Sequence, residues 1–374
     1  MGFNEQNATG ITDQSGGLRE MATLAAPLVL SQILITAMGV VDSVVVGRLG
    51  ASELAAVGLA GIWVWALSAF FVGAATSVQT FVAQHHGANE SEQCGSWCWQ
   101  GLISVVPCAA LAGLLIFLGA HEIIQVLDPS DDVKPLARGY MRARSLGVAG
   151  LAIAVTLSSF FRGIGDPRTP FVATLLANGL NLFLDFGLVY GWFGFPKLGV
   201  VGAGVATTIS EWAYAGIVAW FFGRAALVQA FGTRRARPDW QAIRRLWRVG
   251  LPIAGQWVTG MAALALFTTF VARMGYAQMA ASHAFVQLMS LSFMQAEGIS
   301  LAAATLVGRY IGAARLDLAE RSYRSSLVLA TLLTAIVAAL FIIFPEQLIG
   351  LFADDPAVLA FAGPLLMLGA IYQY

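Results

Sequence analysis

The stretch "APLVLSQILITAMGVVDSVVVGRLG" (Ala26–Gly50) carries one charge, Asp42, before Arg48. A membrane-crossing helix needs about 20 mostly apolar residues, and this run supplies them. It also raises the question of why a carboxylate sits near the outer end of such a run. The rest of the chain is of the same kind. Its 374 residues are 58% hydrophobic and only 11% charged, with a mean hydropathy of +0.74. Soluble domains carry about 25% charged residues, so most of this surface must face lipid. The formal net charge is +0, which offers a nucleic acid nothing to bind. Cys94, Cys98 and Cys108 form no metal or disulfide framework.

Ten spans are read, at 23–46, 54–80, 97–120, 137–161, 169–190, 199–223, 247–271, 279–305, 323–345 and 357–374. They are too long for strands and lack period-two alternation, which argues against a barrel. Fourteen of the 21 basic residues fall on one side of the membrane if the spans alternate. The densest cluster is "FGTRRARPDWQAIRRLWR" (231–248). By the positive-inside rule the amino terminus is cytoplasmic. His85 and His86 are placed in the loop between spans 2 and 3.

The chain also resembles itself. Shifted by 225 residues, Pro27 falls on Pro252, "GRLGASELAA" (47–56) on "ARMGYAQMAA" (272–281), and "TFVAQHHGA" (80–88) on "TLVGRYIGA" (305–313). Such periodicity marks a duplicated unit, here of six spans. An even number returns the chain to the starting side, so the two units should be parallel repeats about an axis along the membrane normal. The expectation is an all-α polytopic membrane protein with two six-helix lobes. Residues 1–20 form a cytoplasmic tail, 21–223 the amino-terminal lobe, 224–246 a basic linker and 247–374 the carboxy-terminal lobe. By this count the second lobe is incomplete, about two and a half helices short.

A carboxylate at a helix centre costs about 2.5–3.5 kcal/mol on insertion scales, so an intramembrane acid is a functional candidate by default. Thr174, Asn178, Asn181 and Asp185 recur at spacings of four, three and four, one stripe of a helix. Asp42 and Asp185 each lie four or five residues before the outer end of an odd-numbered span, so they should share a depth. Two carboxylates facing one dry pocket resist ionising together: one holds a proton, or a cation sits between them. Oxygen donors from Asn181 and Thr207 suit Na⁺, and the acids alone suffice for H⁺. The plainer alternative is polar contact between helices.

Glu211, four residues after Thr207, extends the stripe of span 6 or pairs with an arginine. Arg142 and Arg144 are expected to snorkel to headgroups, with a counter-ion role for Asp185 as the alternative. Span 8 carries His283, Gln287, Ser290, Met294 and Glu297 on one stripe, a candidate second proton or substrate site. Trp63, Trp65 and Trp212 either line a pocket or face lipid. No phosphate-binding loop or nucleophile elbow is present, and no catalytic grouping can be assembled, so an enzyme is not expected.

Several of these segments resemble one known family. "APLVLSQILITAMGVVDSVVVGRLGASELAAVGLA", "FFRGIGDPRTP" (160–170), "NLFLD" (181–185), "LGVVGAGVAT" (198–207) and "LVGRYIGAA" (306–314) are similar to motifs of the multidrug and toxic compound extrusion (MATE) family. The resemblance runs from about Leu18 onward and implies a twelve-helix fold of two lobes. It also implies export of organic cations and drugs in exchange for Na⁺ or H⁺. It places Asp42 and Asp185 as the cation-coupling acids, Asn181 as their companion amide and Thr207 as a span 6 ligand. Of the acids that some members carry in spans 7 and 10, span 7 has none here and the visible part of span 10 has none either.

The expectation is therefore a cation-coupled antiporter for small organic cations in the bacterial inner membrane, acting as a monomer. Its coupling ion is H⁺ or Na⁺, with no cofactor and no resident metal; Na⁺ would sit at Asp42, Asn181 and Asp185. The alternatives are a lipid-linked oligosaccharide flippase of the same superfamily and a non-transporting receptor or scaffold.

Overall fold

Backbone amides in lipid must find their partners within the segment, which leaves helices as the solution for long apolar runs. A computed structural model of the chain describes residues 15–234, 236–272, 276–350 and 362–373. Its helices are α1 (Leu18–Gly47), α2 (Ala51–Gly87), α3 (Ser91–Leu127), α4 (Val133–Ser145), α5 (Val148–Gly163), α6 (Arg168–Tyr190), α7 (Val200–Phe222), α8 (Ala225–Phe231), α9 (Trp240–Ala272), α10 (Tyr276–Gly312), α11 (Leu316–Ile343), α12 (Pro345–Gly350) and α13 (Ala362–Tyr372). Taking α4 with α5 as one, seven of the described spans are long and apolar enough to cross a membrane; the pair α7–α8, bent by 67°, is an eighth. The 33-residue α9 covers the span expected at 247–271, and α13 lies within the last one. Leucines such as Leu114, Leu115 and Leu118 on α3 point outward, as lipid requires. The chain is an all-α polytopic membrane protein.

The fourth span is one span in two pieces. At Leu146–Gly147 both residues keep helical angles, but the Gly147 amide bonds to the Arg144 carbonyl at 3.0 Å. That tightened three-residue step interrupts an otherwise regular helix.

The chain divides into two compact units. One is Ala37–Val258 with Gly308–Arg315; the other comprises the described residues of Met1–Thr36, Thr259–Val307 and Leu316–Tyr374. The first has a continuous core. In it Phe160 makes edge-on contacts with Phe161, Phe222 and Phe231. The segment after α8 is clamped to α3 there: buried Gln100 donates to the Arg237 carbonyl and accepts from the Asp239 amide, both at 2.9 Å. The second unit has its own small core of Leu288, Ala338, Phe341, Ile349, Leu366 and Ala370.

The repeat is legible in the structure residue by residue. Moved by 225, α2 becomes α10 at both ends. Pro27 and Pro252 each lie inside a helix. The turn closing α2 recurs after α10 bond for bond. Ala88, Asn89 and Glu90 donate to Gln84, His86 and His85; Ala313, Ala314 and Arg315 donate to Arg309, Ile311 and Tyr310. Asn89 and Ala314 both adopt positive φ, 60° and 55°. Contacts are reciprocal as well. Within the first unit Gly87 lies on the Arg309 backbone and Gly312 on that of Gln84. Gly73 meets Ala254 in the first unit, and Gly298 meets Val29 in the second. Residue i touching j′ while j touches i′ is what a duplicated packing contact leaves behind.

One detail of the sequence reading changes. His85 and His86 lie in the last turn of α2, not in a loop. His85 meets Glu90 at 2.7 Å and stacks near Trp97, and His86 leans on Phe231.

The two copies of the turn differ in one strained position. Asn tolerates the left-handed region, whereas Ala pays for its Cβ there. Ala314→Gly is therefore expected to stabilise the protein by about 1 kcal/mol, read as a raised Tm in detergent. An unchanged or lowered Tm would contradict the strain.

Candidate functional site

Four helices of the first unit are drawn together by small residues, the usual device where lipid gives no hydrophobic drive to association. Gly204 of α7 lets Ala143 and Tyr140 of α4 approach; a Cβ there would stand 3.0 Å and 3.2 Å from their side chains. Gly202 lies on the Leu188 carbonyl of α6. Near the end of α6 the Tyr190 hydroxyl donates to the Val45 carbonyl of α1 at 2.5 Å. These contacts set the places of Asp42, Arg144, Asp185 and Glu211.

Asp42 and Asp185 meet. Each stands five residues before the end of its helix, and their carboxyl groups lie within interaction range of each other. Asn181 Nδ2, one turn back on α6, donates to Asp185 Oδ2 at 2.9 Å. Asn181 and Asp185 are both buried. Thr207 is within hydrogen-bond reach of Asp42; its own proton goes to the Ala203 carbonyl at 2.9 Å, so toward the acid it offers a lone pair. Among the described residues the Oδ1 atoms of Asp42 and Asp185 are buried and receive no hydrogen bond from another group. The cluster is rich in acceptors and short of protons.

Beside it lies a second pair. Arg144 Nη1 and Glu211 Oε2 are 2.9 Å apart, with side-chain exposures of 11% and 14%. The contact is close enough for an ion pair but is not aligned as a hydrogen bond. The expectation that Arg144 snorkels to the headgroups is thus corrected: its guanidinium turns inward. Its partner is Glu211 of α7 and not Asp185. Arg142 does point outward, over the Phe117 ring. Tyr140, one turn before Arg144, lies within electrostatic range of Arg144, Asp42, Glu211 and Asp185.

The other residues of interest are placed as follows. Thr174 is buried and Asn178 half-buried on the Asp185 stripe. Glu297 is half-buried in α10 of the second unit. In that unit Gln32 Nε2 donates to Met294 Sδ at 3.8 Å, a pairing that the stripe alone does not reveal. The side chains of His283 and Gln287 lie outside those the structure describes, as do Arg235, Arg273 and the "FADDP" segment. Trp63 and Trp65 are exposed, and Trp212 donates through Nε1 to the Leu146 carbonyl at 3.0 Å. Sequence reasoning missed Tyr140 and Gly147. The signal was present in "GYMRARSLG", where Tyr140 and Arg144 recur at four residues.

The MatE family model matches residues 27–186 and 252–373, two stretches whose starts lie 225 residues apart. This chain belongs to the MatE family. It is 30% identical over 359 residues to multidrug resistance protein MdtK of Yersinia pestis, covering 95% of this chain and 78% of that one. It is 28% identical to probable multidrug resistance protein NorM of Thermotoga maritima, covering 95% and 76%. Among solved structures, the fold matches MATE in complex with MaL6 with a TM-score of 0.84 at 20% identity, over 96% of this chain and 80% of that one. It also matches the outward-facing conformation of a multidrug resistance MATE family transporter of the MOP superfamily, with a TM-score of 0.82 at 20% identity, over 96% and 79%.

In this MatE protein the Tyr190–Val45 bond ties α6 to α1 next to both acids. Tyr190→Phe removes it at almost constant volume and is expected to cost about 1 kcal/mol. Thermal unfolding in detergent measures it; a variant as stable as the parent would show the tie to be idle.

Proposed function

We propose that this MatE protein exports small organic cations, drugs or toxic metabolites, in exchange for H⁺ or Na⁺ at Asp42, Asp185, Asn181 and Thr207. The observation that carries the reading is the pair of carboxyl groups from separate helices, brought side by side within an apolar bundle. The names of the relatives support drug export; the choice of site rests on the acids alone. A carboxyl pair that holds one proton carries one negative charge, which a second proton or one Na⁺ neutralises. The oxygens of Asp42, Asp185, Asn181 and Thr207 are donors that suit a hard cation.

In the outward-open state the cation reaches the pair from outside, neutralises it and displaces the substrate; the loaded carrier then turns inward. Such a shift requires the cation to bind the two states with different affinity. The reading places the amino terminus in the cytoplasm and treats 21–223 and 247–374 as the two lobes, joined by the basic linker 224–246.

The test is efflux of a fluorescent organic cation from vesicles, with the Na⁺ and pH gradients imposed separately. Asp42→Asn and Asp185→Asn are each expected to abolish gradient-driven efflux while leaving the protein in the membrane. Exchange at the parental rate in either variant would sink the assignment, and the gradient that drives the parent protein names the ion.

A further inference from the structure

Arg144 and Glu211 form an ion pair inside the same helix cluster as the two acids, and ion exchange as described above makes no use of it. Removing two charges from water is expensive, and an apolar pair of equal volume is often at least as stable. The pair is also built into its place. A Cβ on Gly147 would fall on Glu211 Oε2, so the glycine makes room for the carboxylate at the step in span 4. α7 is stitched to that step on either side of Glu211: Thr208 Oγ1 donates to the Ala143 carbonyl at 2.8 Å and Trp212 Nε1 to the Leu146 carbonyl at 3.0 Å. The charged and titratable groups within electrostatic range of the pair are Asp42 on α1 and Tyr140 on α4.

Arg144 is therefore a cation permanently within range of Asp42. A guanidinium free to approach Asp42 and Asp185 would occupy the charge that an exchanging ion must meet. Glu211 holds it 2.9 Å away from its own carboxylate instead, and the off-axis contact leaves Nη1 without a directed acceptor. We propose that the Arg144–Glu211 pair is a positioning device that sets the affinity of the Asp42–Asp185 site for its exchanging cation, Glu211 keeping the guanidinium from acting as an internal competitor. The inference rests on the exchange reading given above.

Charge arithmetic gives it a signature that a purely structural role lacks. Glu211→Gln leaves Arg144 uncompensated and weakens cation binding at the acids. Arg144→Gln leaves Glu211 as an added negative charge and strengthens it. An opposite charge at short range shifts such equilibria by about one to three powers of ten.

The experiment reconstitutes the full chain in proteoliposomes and reads efflux of ethidium against the concentration of the driving cation, H⁺ or Na⁺. Glu211→Gln should raise the half-maximal concentration about tenfold and Arg144→Gln lower it about tenfold. The double variant should return to within about threefold of the parent, and Arg144→Lys, which keeps the charge, should stay near it. If Arg144→Gln does not reach the membrane, Glu211→Gln and the double variant decide. Equal midpoints, or shifts in one direction for both single variants, overturn the inference while loss of coupling in Asp185→Asn leaves the exchange reading standing. Parental coupling in Asp42→Asn and Asp185→Asn overturns the exchange reading itself, and this inference with it.

Discussion

Two carboxyl groups pressed together in an apolar helix bundle are the constraint around which this unit is arranged. Each costs about 2.5–3.5 kcal/mol to place in a membrane helix on insertion scales, and a Leu or Val returns only about 0.3–0.6. The cost is met locally. Asn181 donates to one of the acids and Thr207 lies beside the other. Such contacts need helix axes closer than large side chains permit, which explains Gly202 and Gly204 on the inner face of α7. The apolar residues excluded from that face turn outward to lipid, so one helix meets two solvents with two compositions.

The duplicated halves have kept their geometry and lost their common chemistry. Helix ends, the turn after α2 and α10, the prolines in α1 and α9, and the reciprocal glycine contacts all survive the shift of 225 residues. The polar groups of the candidate site do not. Asp42 corresponds to Phe267, Tyr140 to Leu365 and Arg144 to Gly369. Packing constrains both copies because each contact has a counterpart in the repeat. A charge is retained only where it does something, since each one costs energy in lipid. The candidate cation site is drawn from the first half of the sequence, and in the other half contacts such as Gly369 against Phe285 are apolar packing.

This division also explains what the sequence disclosed. Span positions were legible because hydropathy over twenty residues is a strong signal, and the repeat because packing residues are conserved between copies in both identity and spacing. Asp42 and Asp185 were legible as charges in the wrong solvent, and their equal depth followed from counting to the helix ends. Arg144 was not read correctly. An arginine a few turns from a helix end satisfies the snorkelling rule and the ion-pair rule alike, and only packing decides which way it turns. Gly147 has the same character: nothing in the sequence separates a glycine that makes room for Glu211 from one that merely lines a helix crossing. His85 and His86 were misplaced because a polar pair at the end of an apolar run reads as a loop, whereas α2 continues to Gly87.

The stitching of the helices bears on how a cation can act. α7 is tied to the step in span 4 through Thr208 and Trp212, and through Glu211 to Arg144, so these helices respond as one body. α6 is tied to α1 by Tyr190. Between the two bodies the Asp42–Asp185 contact stays within the α1–α6 side, while Thr207 and the charge of Arg144 reach it from the α7–α4 side. In the exchange proposed above, neutralising the acids would weaken an electrostatic attraction between these two groups of helices. α6 and α7 are also packed directly against each other, Gly202 on the Leu188 carbonyl, so any relative movement of the two groups must carry that close contact with it.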